Sequence, residues 1–77
     1  MVIKILLYGI LAEKANTKEF TLSDIPSLGK LKEEILKAHP VFSDLKYYLF
    51  INHKASTEDA ILVDGDEIAL IPPFAGG

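Results

Sequence analysis

The sequence predicts an α+β domain in which one main helix packs on a sheet of four or five short strands. Three observations point there. β-Branched and large apolar residues concentrate in short runs at 2–8, 47–52 and 67–71. Leu28, Leu31, Ile35 and Ala38 recur at helical spacing and form one apolar stripe. Turn residues punctuate the chain at Gly9, Asn16, His39-Pro40, Asn52-His53 and Asp64-Gly65-Asp66.

The elements follow in order. In the first strand, residues 2–8, Ile3, Ile5 and Leu7 point one way and Lys4, Leu6 and Tyr8 the other. Gly9 ends it, and residues 10–15 form a short helical turn closed by Asn16. Residues 18–22 are a second strand, with Phe20 and Leu22 on one face, and a hairpin of the first two strands is the simplest pairing. Pro26 and Ser27 open the helix, with Ser27 as N-cap. Lys30 at the third helical position leaves the capping box without its acid. Leu36 widens the stripe. Lys30, Glu33, Glu34 and Lys37 lie on the wet side, with Glu33 and Lys37 spaced for an ion pair. His39-Pro40 stops the helix, since a residue before proline avoids the helical region. Residues 47–52 are a third strand, with Leu49 and Ile51 on one face and Tyr48 and Phe50 on the other. Residues 55–63 read as an irregular stretch anchored by Ile61 and Val63. The last strand, residues 67–71, puts Ile68 and Leu70 together and Ala69 and Ile71 opposite.

Composition narrows the function classes. The chain has 77 residues, enough for one small domain whose core is marginal. It has no cysteine, so no disulfide or thiolate metal site supports it. A hydrophobic fraction of 49% lets packing carry the fold instead. His39 and His53 lie fourteen positions apart, without metal-ligand spacing, and read as surface residues. The net charge of −3 argues against nucleic acid or an anionic membrane as partner. With no signal-peptide pattern and no long apolar run, a cytoplasmic location is expected. No Ser-His-Asp set, phosphate loop or carboxylate pair suggests catalysis by this chain alone.

Two features carry the functional reading. One helix covers one face of a sheet. Ile3, Ile5, Leu7, Leu49, Ile51, Ile68 and Leu70 make the core face. Leu6, Tyr8, Tyr48, Phe50, Ala69 and Ile71 fall on the reverse, where a half-solvated sheet would alternate to polar residues. A contiguous apolar face of this kind marks a protein interface. The second feature is the end of the chain. Residues 1–71 read as the domain and residues 72–77, Pro-Pro-Phe-Ala-Gly-Gly, as a tail. Pro72 and Pro73 cannot extend a ladder and favour an extended path. Fully stretched, the tail reaches roughly 20 Å. Phe74 and Ala75 lead to Gly76 and Gly77, a tip without side chains that ends in an unhindered carboxylate. The acids Glu58, Asp59 and Glu67 form an acidic edge or a solvated loop, whereas Asp64 and Asp66 shape a turn.

The order of elements, the Asp64-Gly65-Asp66-Glu67-Ile68 turn into the last strand and the Pro72-to-Gly77 ending resemble the MoaD/ThiS family of ubiquitin-like sulfur carriers. Leu7-Tyr8-Gly9 followed by Leu11-Ala12-Glu13 is similar to that family's first strand and turn. The resemblance covers essentially the whole chain, and the D-G-D-E…P-P-x-A-G-G segment is its specific part. Paired prolines favour the MoaD branch, the small subunits of molybdopterin synthase. Ala75 is more common in the ThiS branch.

The resemblance implies a β-grasp fold with a mixed sheet, its first and last strands adjacent and parallel. It implies that an adenylating, MoeB-like enzyme uses ATP to activate the Gly77 carboxylate, which sulfur then converts to a thiocarboxylate. That group donates sulfur to a pyranopterin precursor within a complex with a MoaE-like large subunit, forming the molybdopterin dithiolene. This chain would bind no cofactor. Gly77 and Gly76 would be the reacting end. Leu6, Tyr8, Tyr48, Phe50, Ala69, Ile71 and residues 72–75 would contact partners. Alternatives are a thiamine-pathway carrier, a ubiquitin-like modifier joined to lysines through Gly77, and a binding domain with an inert tail.

Overall fold

The computed structural model describes residues 1–55 and 60–73. Its elements are β1 (Val2–Leu7), α1 (Ile10–Ala15), β2 (Glu19–Ser23), α2 (Leu28–Ala38), a 3-10 turn (Pro40–Asp44), β3 (Tyr48–Ile51), β4 (Lys54–Ala55) and β5 (Glu67–Ile71). They form one mixed sheet in the order β2-β1-β5-β3-β4. β1 and β5 are parallel and central, with Ile5 opposite Ile68 and Leu7 opposite Leu70. The other pairings are antiparallel. This is the expected β-grasp architecture.

Alternation sets the register. Ile3, Ile5, Leu7, Ile68 and Leu70 are buried on one face. Leu28, Leu31 and Ile35 of α2 close over them, joined by Leu11, Ile25, Phe42 and Leu62. Each fully buried aliphatic side chain contributes roughly 1.5–3 kcal/mol. Ser27 caps α2, its hydroxyl accepting from the Lys30 N–H at 3.3 Å. Lys37 pairs with Glu34 at 3.4 Å rather than with Glu33, because half-buried Glu34 lies between Lys30 and Lys37 and accepts from both. Such surface pairs add at most about 1 kcal/mol.

Four expectations are corrected. Leu36 and Ala38 are exposed, so the buried stripe is narrower than the spacing implied. Residues 54–55 are a strand, not the start of an irregular stretch. Asn52 and His53 both take positive φ (47° and 73°), giving the tight hairpin turn that folds β4 back on β3. The segment after it is anchored by Leu62, whereas Ile61 and Val63 are 80% and 59% exposed. A bridge between Ser27 and Ile61, with the Leu62 N–H donating to the Pro26 carbonyl at 3.0 Å, turns Leu62 inward. His39 is half-buried, its ring 5.3 Å from Phe20 and 5.6 Å from Phe42.

Phe42 is among the largest fully buried side chains and stands at the end of α2, against His39 and Tyr47. Phe42→Ala is expected to cost about 3–5 kcal/mol. That is much of the stability available to a domain of this size, so urea denaturation of the variant should show a midpoint near zero denaturant.

Candidate functional site: the outer sheet face and the root of the tail

The strand register that buries one face of the sheet assembles the other. Leu6 of β1 lies opposite Ala69 of β5, which lies opposite Phe50 of β3. One step along, Ile71 lies opposite Tyr48. Tyr8 flanks the same end of the sheet, its N–H donating to the Leu70 carbonyl at 3.3 Å. The six residues expected on one surface are therefore together on it. Tyr48 and Tyr8 stand 58% and 47% exposed. Leu6, Phe50, Ala69 and Ile71 are half-buried beside their cross-strand neighbours. Small Ala69 stands between Leu6 and Phe50 in the middle of the face.

Two grooves flank the end of this face where the chain leaves β5. One, of about 360 Å³, is lined by Leu6, Tyr8, Gly9, Ala12, Lys18 and Glu19. The other, of about 390 Å³, lies under Tyr48 and Pro73, with Leu36, Leu45, Lys32 and Lys46 on its walls. A charged pair borders the face on the β2 side, where the Lys4 Nζ stands 3.1 Å from Glu19 Oε2. The hydrogen bond from Lys4 to Glu19 and the attraction between them hold the Lys4 ammonium above its usual pKa. What this pair adds to stability is therefore complete below the ordinary lysine value and is lost only as the pH climbs through the raised one.

The root of the tail is tied to the body. Pro72 is buried and Pro73 half-buried. Proline has no N–H, so it ends the ladder between β1 and β5. The Pro72 ring lies against Gly9, the N-cap of α1, which has φ 55° and ψ −132°. A Cβ placed on Gly9 would sit 3.2 Å from Pro72 Cγ. Phe74, Ala75, Gly76 and Gly77 lie outside the described residues, as do Glu58 and Asp59.

The turn before β5 is a hydrogen-bonded unit. Buried Asp66 accepts from the Val63 N–H at 2.9 Å and from Asn52 Nδ2 at 3.0 Å. The Asn52 side chain in turn accepts from the Glu67 N–H at 3.0 Å. Asp64 accepts from the Val2 N–H at 2.6 Å. Both turn aspartates are thus structural, and they fix where β5 begins relative to β1 and β3. Asp66→Ala strands two donors and is expected to cost about 1–3 kcal/mol, read as a lower urea midpoint.

Sequence reasoning did not reach the Gly9–Pro72 contact, the two grooves or the Asn52–Asp66 network. The Asn52-His53 and Asp64-Gly65-Asp66 turn signals were visible, but not that one turn would bond to the other. Among the described residues no group of three or more His, Asp or Glu is gathered to hold a metal ion. Among them, too, no helix is long and apolar enough to cross a membrane.

Comparison with known proteins agrees with this geometry. Over its full length the chain is 35% identical to the molybdopterin synthase sulfur carrier subunit of Chlamydomonas reinhardtii, covering 100% of each chain. It is 31% identical to that of Arabidopsis thaliana, over 97% of this chain and 82% of the relative. Among solved structures, SAMP1 of Haloferax volcanii superposes with a TM-score of 0.87 at 24% identity, over 100% of both chains. A complex of subunits 1 and 2 of the molybdopterin-converting factor from Helicobacter pylori matches with a TM-score of 0.76 at 22% identity, again over 100% of both chains. These two likenesses concern the fold. The model of the ThiS family matches residues 5–77, from the first strand to the terminal glycine. The chain belongs to the ThiS family.

Proposed function

We propose that this chain is a sulfur carrier, the small subunit of a molybdopterin synthase, and that its reacting atom rides on the Gly77 carboxyl carbon. The observation that carries this reading is the end-to-end match to molybdopterin synthase sulfur carrier subunits, together with a family match that runs to Gly77 itself.

The chemistry explains why a bare terminus suffices. An α-carboxyl group has a pKa of about 3.3–3.7, so at neutral pH it is an anion that resists nucleophiles. A MoeB-like partner supplies ATP. The Gly77 oxygen attacks the α-phosphate, pyrophosphate leaves, and an acyl-adenylate forms. A sulfide-equivalent nucleophile then attacks the acyl carbon and AMP departs, leaving the thiocarboxylate. In the synthase, that sulfur attacks a side-chain carbon of the pyranopterin precursor and displaces an oxygen substituent there, a C–S bond forming as the C–O bond breaks. Hydrolysis of the resulting thioester returns the carboxylate and leaves the sulfur on the pterin. The body contributes presentation. Leu6, Tyr8, Tyr48, Phe50, Ala69 and Ile71 form the docking face for a MoaE-like large subunit and for the activating enzyme in turn. Residues 73–77 carry the carboxylate into the partner's site. A chain without cysteine has no thiol to attack its own activated end.

Reconstitution tests this. Thiocarboxylated protein, incubated with a MoaE-like large subunit and the cyclic pyranopterin precursor, should yield the dithiolene and return to the carboxylate form. Sulfur loading without dithiolene formation, but with thiazole formation alongside a thiazole synthase, would move the destination to thiamine. Isopeptide adducts on lysines would contradict the proposal.

A further inference from the structure

Gly9 has an unusual backbone and lies against Pro72, the residue at which the chain leaves the last strand. It caps α1 at φ 55°, ψ −132°, a conformation that residues with a Cβ rarely adopt. Its carbonyl accepts from the Ala12 and Glu13 N–H groups, starting the helix. Its Cα side is covered by the ring of Pro72, and a Cβ there would meet Cγ at 3.2 Å and Cδ at 3.9 Å. A proline ring cannot rotate away as a flexible side chain can. The pair thus needs glycine at position 9 for two separate reasons, one of torsion and one of space.

The contact stands at a decisive point. The parallel ladder between β1 and β5 ends with the Tyr8 N–H on the Leu70 carbonyl, at 3.3 Å. Beyond it, Pro72 has no N–H with which to pair. Ile71 is the last residue held by β3, opposite Tyr48. Packing on Gly9 therefore helps to hold residue 72 at the point where the chain leaves the sheet.

We propose that Gly9 is a positioning residue for the reaction at the chain terminus: by lacking a side chain it seats Pro72 on the start of α1 and so fixes the point from which the tail is offered to a partner. The inference rests on the reading of Gly77 as the reacting end. Docking and aiming are separate tasks in this arrangement. The sheet face decides whether a partner binds. The Gly9–Pro72 contact decides whether the bound partner receives the tail.

The test uses Gly9→Ala, Pro72→Ala and the double variant in the full-length protein, below its thermal midpoint. Affinity of Gly9→Ala for a MoeB-like adenylating enzyme should change by less than about twofold, and kcat for ATP-dependent adenylation of the terminus should fall about tenfold in each single variant. The double variant should be no slower than the worse single one, because both substitutions break one contact. Pro72→Ala carries no positive-φ strain, so it reports on the contact even if Gly9→Ala folds poorly. A second readout is independent of the chemistry. The chain has no native cysteine, so spin labels on Ala75→Cys and Lys14→Cys give one distance distribution. That distribution should broaden or shift in both single variants. Unchanged distances, or additive kinetic losses accompanied by weaker docking, would overturn the proposal. If the unsubstituted terminus is never adenylated while the distances still respond, the sulfur-carrier reading fails, and what stands is that the Gly9–Pro72 contact orients the tail.

Discussion

Deletion of Gly77 should abolish sulfur transfer while leaving the thermal midpoint unchanged. The expected separation follows from the way the fold is supported. The core is Ile3, Ile5, Leu7, Leu11, Ile25, Leu28, Leu31, Ile35, Phe42, Leu62, Ile68 and Leu70, and all of it lies before the tail. Among the described residues the last strand pairing is at Ile71. Removing one glycine beyond that point takes away no side chain. It does shorten the reach of the carboxylate by one residue, about 3.5 Å. In an active site that holds reacting atoms within about 3–3.5 Å, a displacement of that size removes the near-attack geometry entirely. Adding one residue after Gly77 should do the same by overshooting. Steady-state sulfur transfer is therefore expected to fall to background in both variants, with circular dichroism and melting curves superimposable on the parent. Retained turnover in either would contradict the assignment of Gly77.

Phe50→Asp should weaken docking by roughly thirtyfold, about 2 kcal/mol, as expected for a charge replacing an aromatic anchor. Its effect on stability should stay near or below about 1 kcal/mol. Phe50 sits on the outer face between Ala69 and Ala55, and the residues on either side of it in β3, Leu49 and Ile51, turn to the core. The prediction is therefore sensitive to the parity of the strand. A slip by one residue would exchange the two faces and turn the same substitution into a buried charge. Titration with a MoaE-like large subunit measures the first quantity and urea denaturation the second. A large loss of stability, or undiminished docking, would contradict the assignment of this face.

The two faces were legible in the sequence because the central strands alternate. Ile3, Ile5 and Leu7 against Lys4, Leu6 and Tyr8 leave one consistent register, and Ile68 and Leu70 match it in the last strand. Ser27 was legible as a cap because its residue type and place before an apolar stripe have one efficient use. Other parts were not written in any period. β4 has two residues, too few to alternate, and its existence depends on Asn52 and His53 both accepting positive φ. The run Ala60-Ile61-Leu62-Val63 is apolar throughout, so only the bridge to Ser27 decides that Leu62 turns inward. Phe42 follows a helix stop and enters the core from a 3-10 turn, whose short length carries no stripe. Gly9 and Pro72 lie near opposite ends of the chain, and their contact exists only because β1 and β5 are neighbours. Within the site, residue types and faces could thus be read from spacing, whereas the grooves and the seat of Pro72 arise from strand order.

The account depends most on where the sulfur resides. Intact protein, co-produced with a MoeB-like enzyme and a sulfur source, can be fragmented along the backbone in the mass spectrometer. The account predicts that one oxygen is replaced by one sulfur and that the mass change is confined to the fragment ending in Gly77. A terminus that remains an unmodified carboxylate under these conditions, or sulfur found on any other residue, would contradict it.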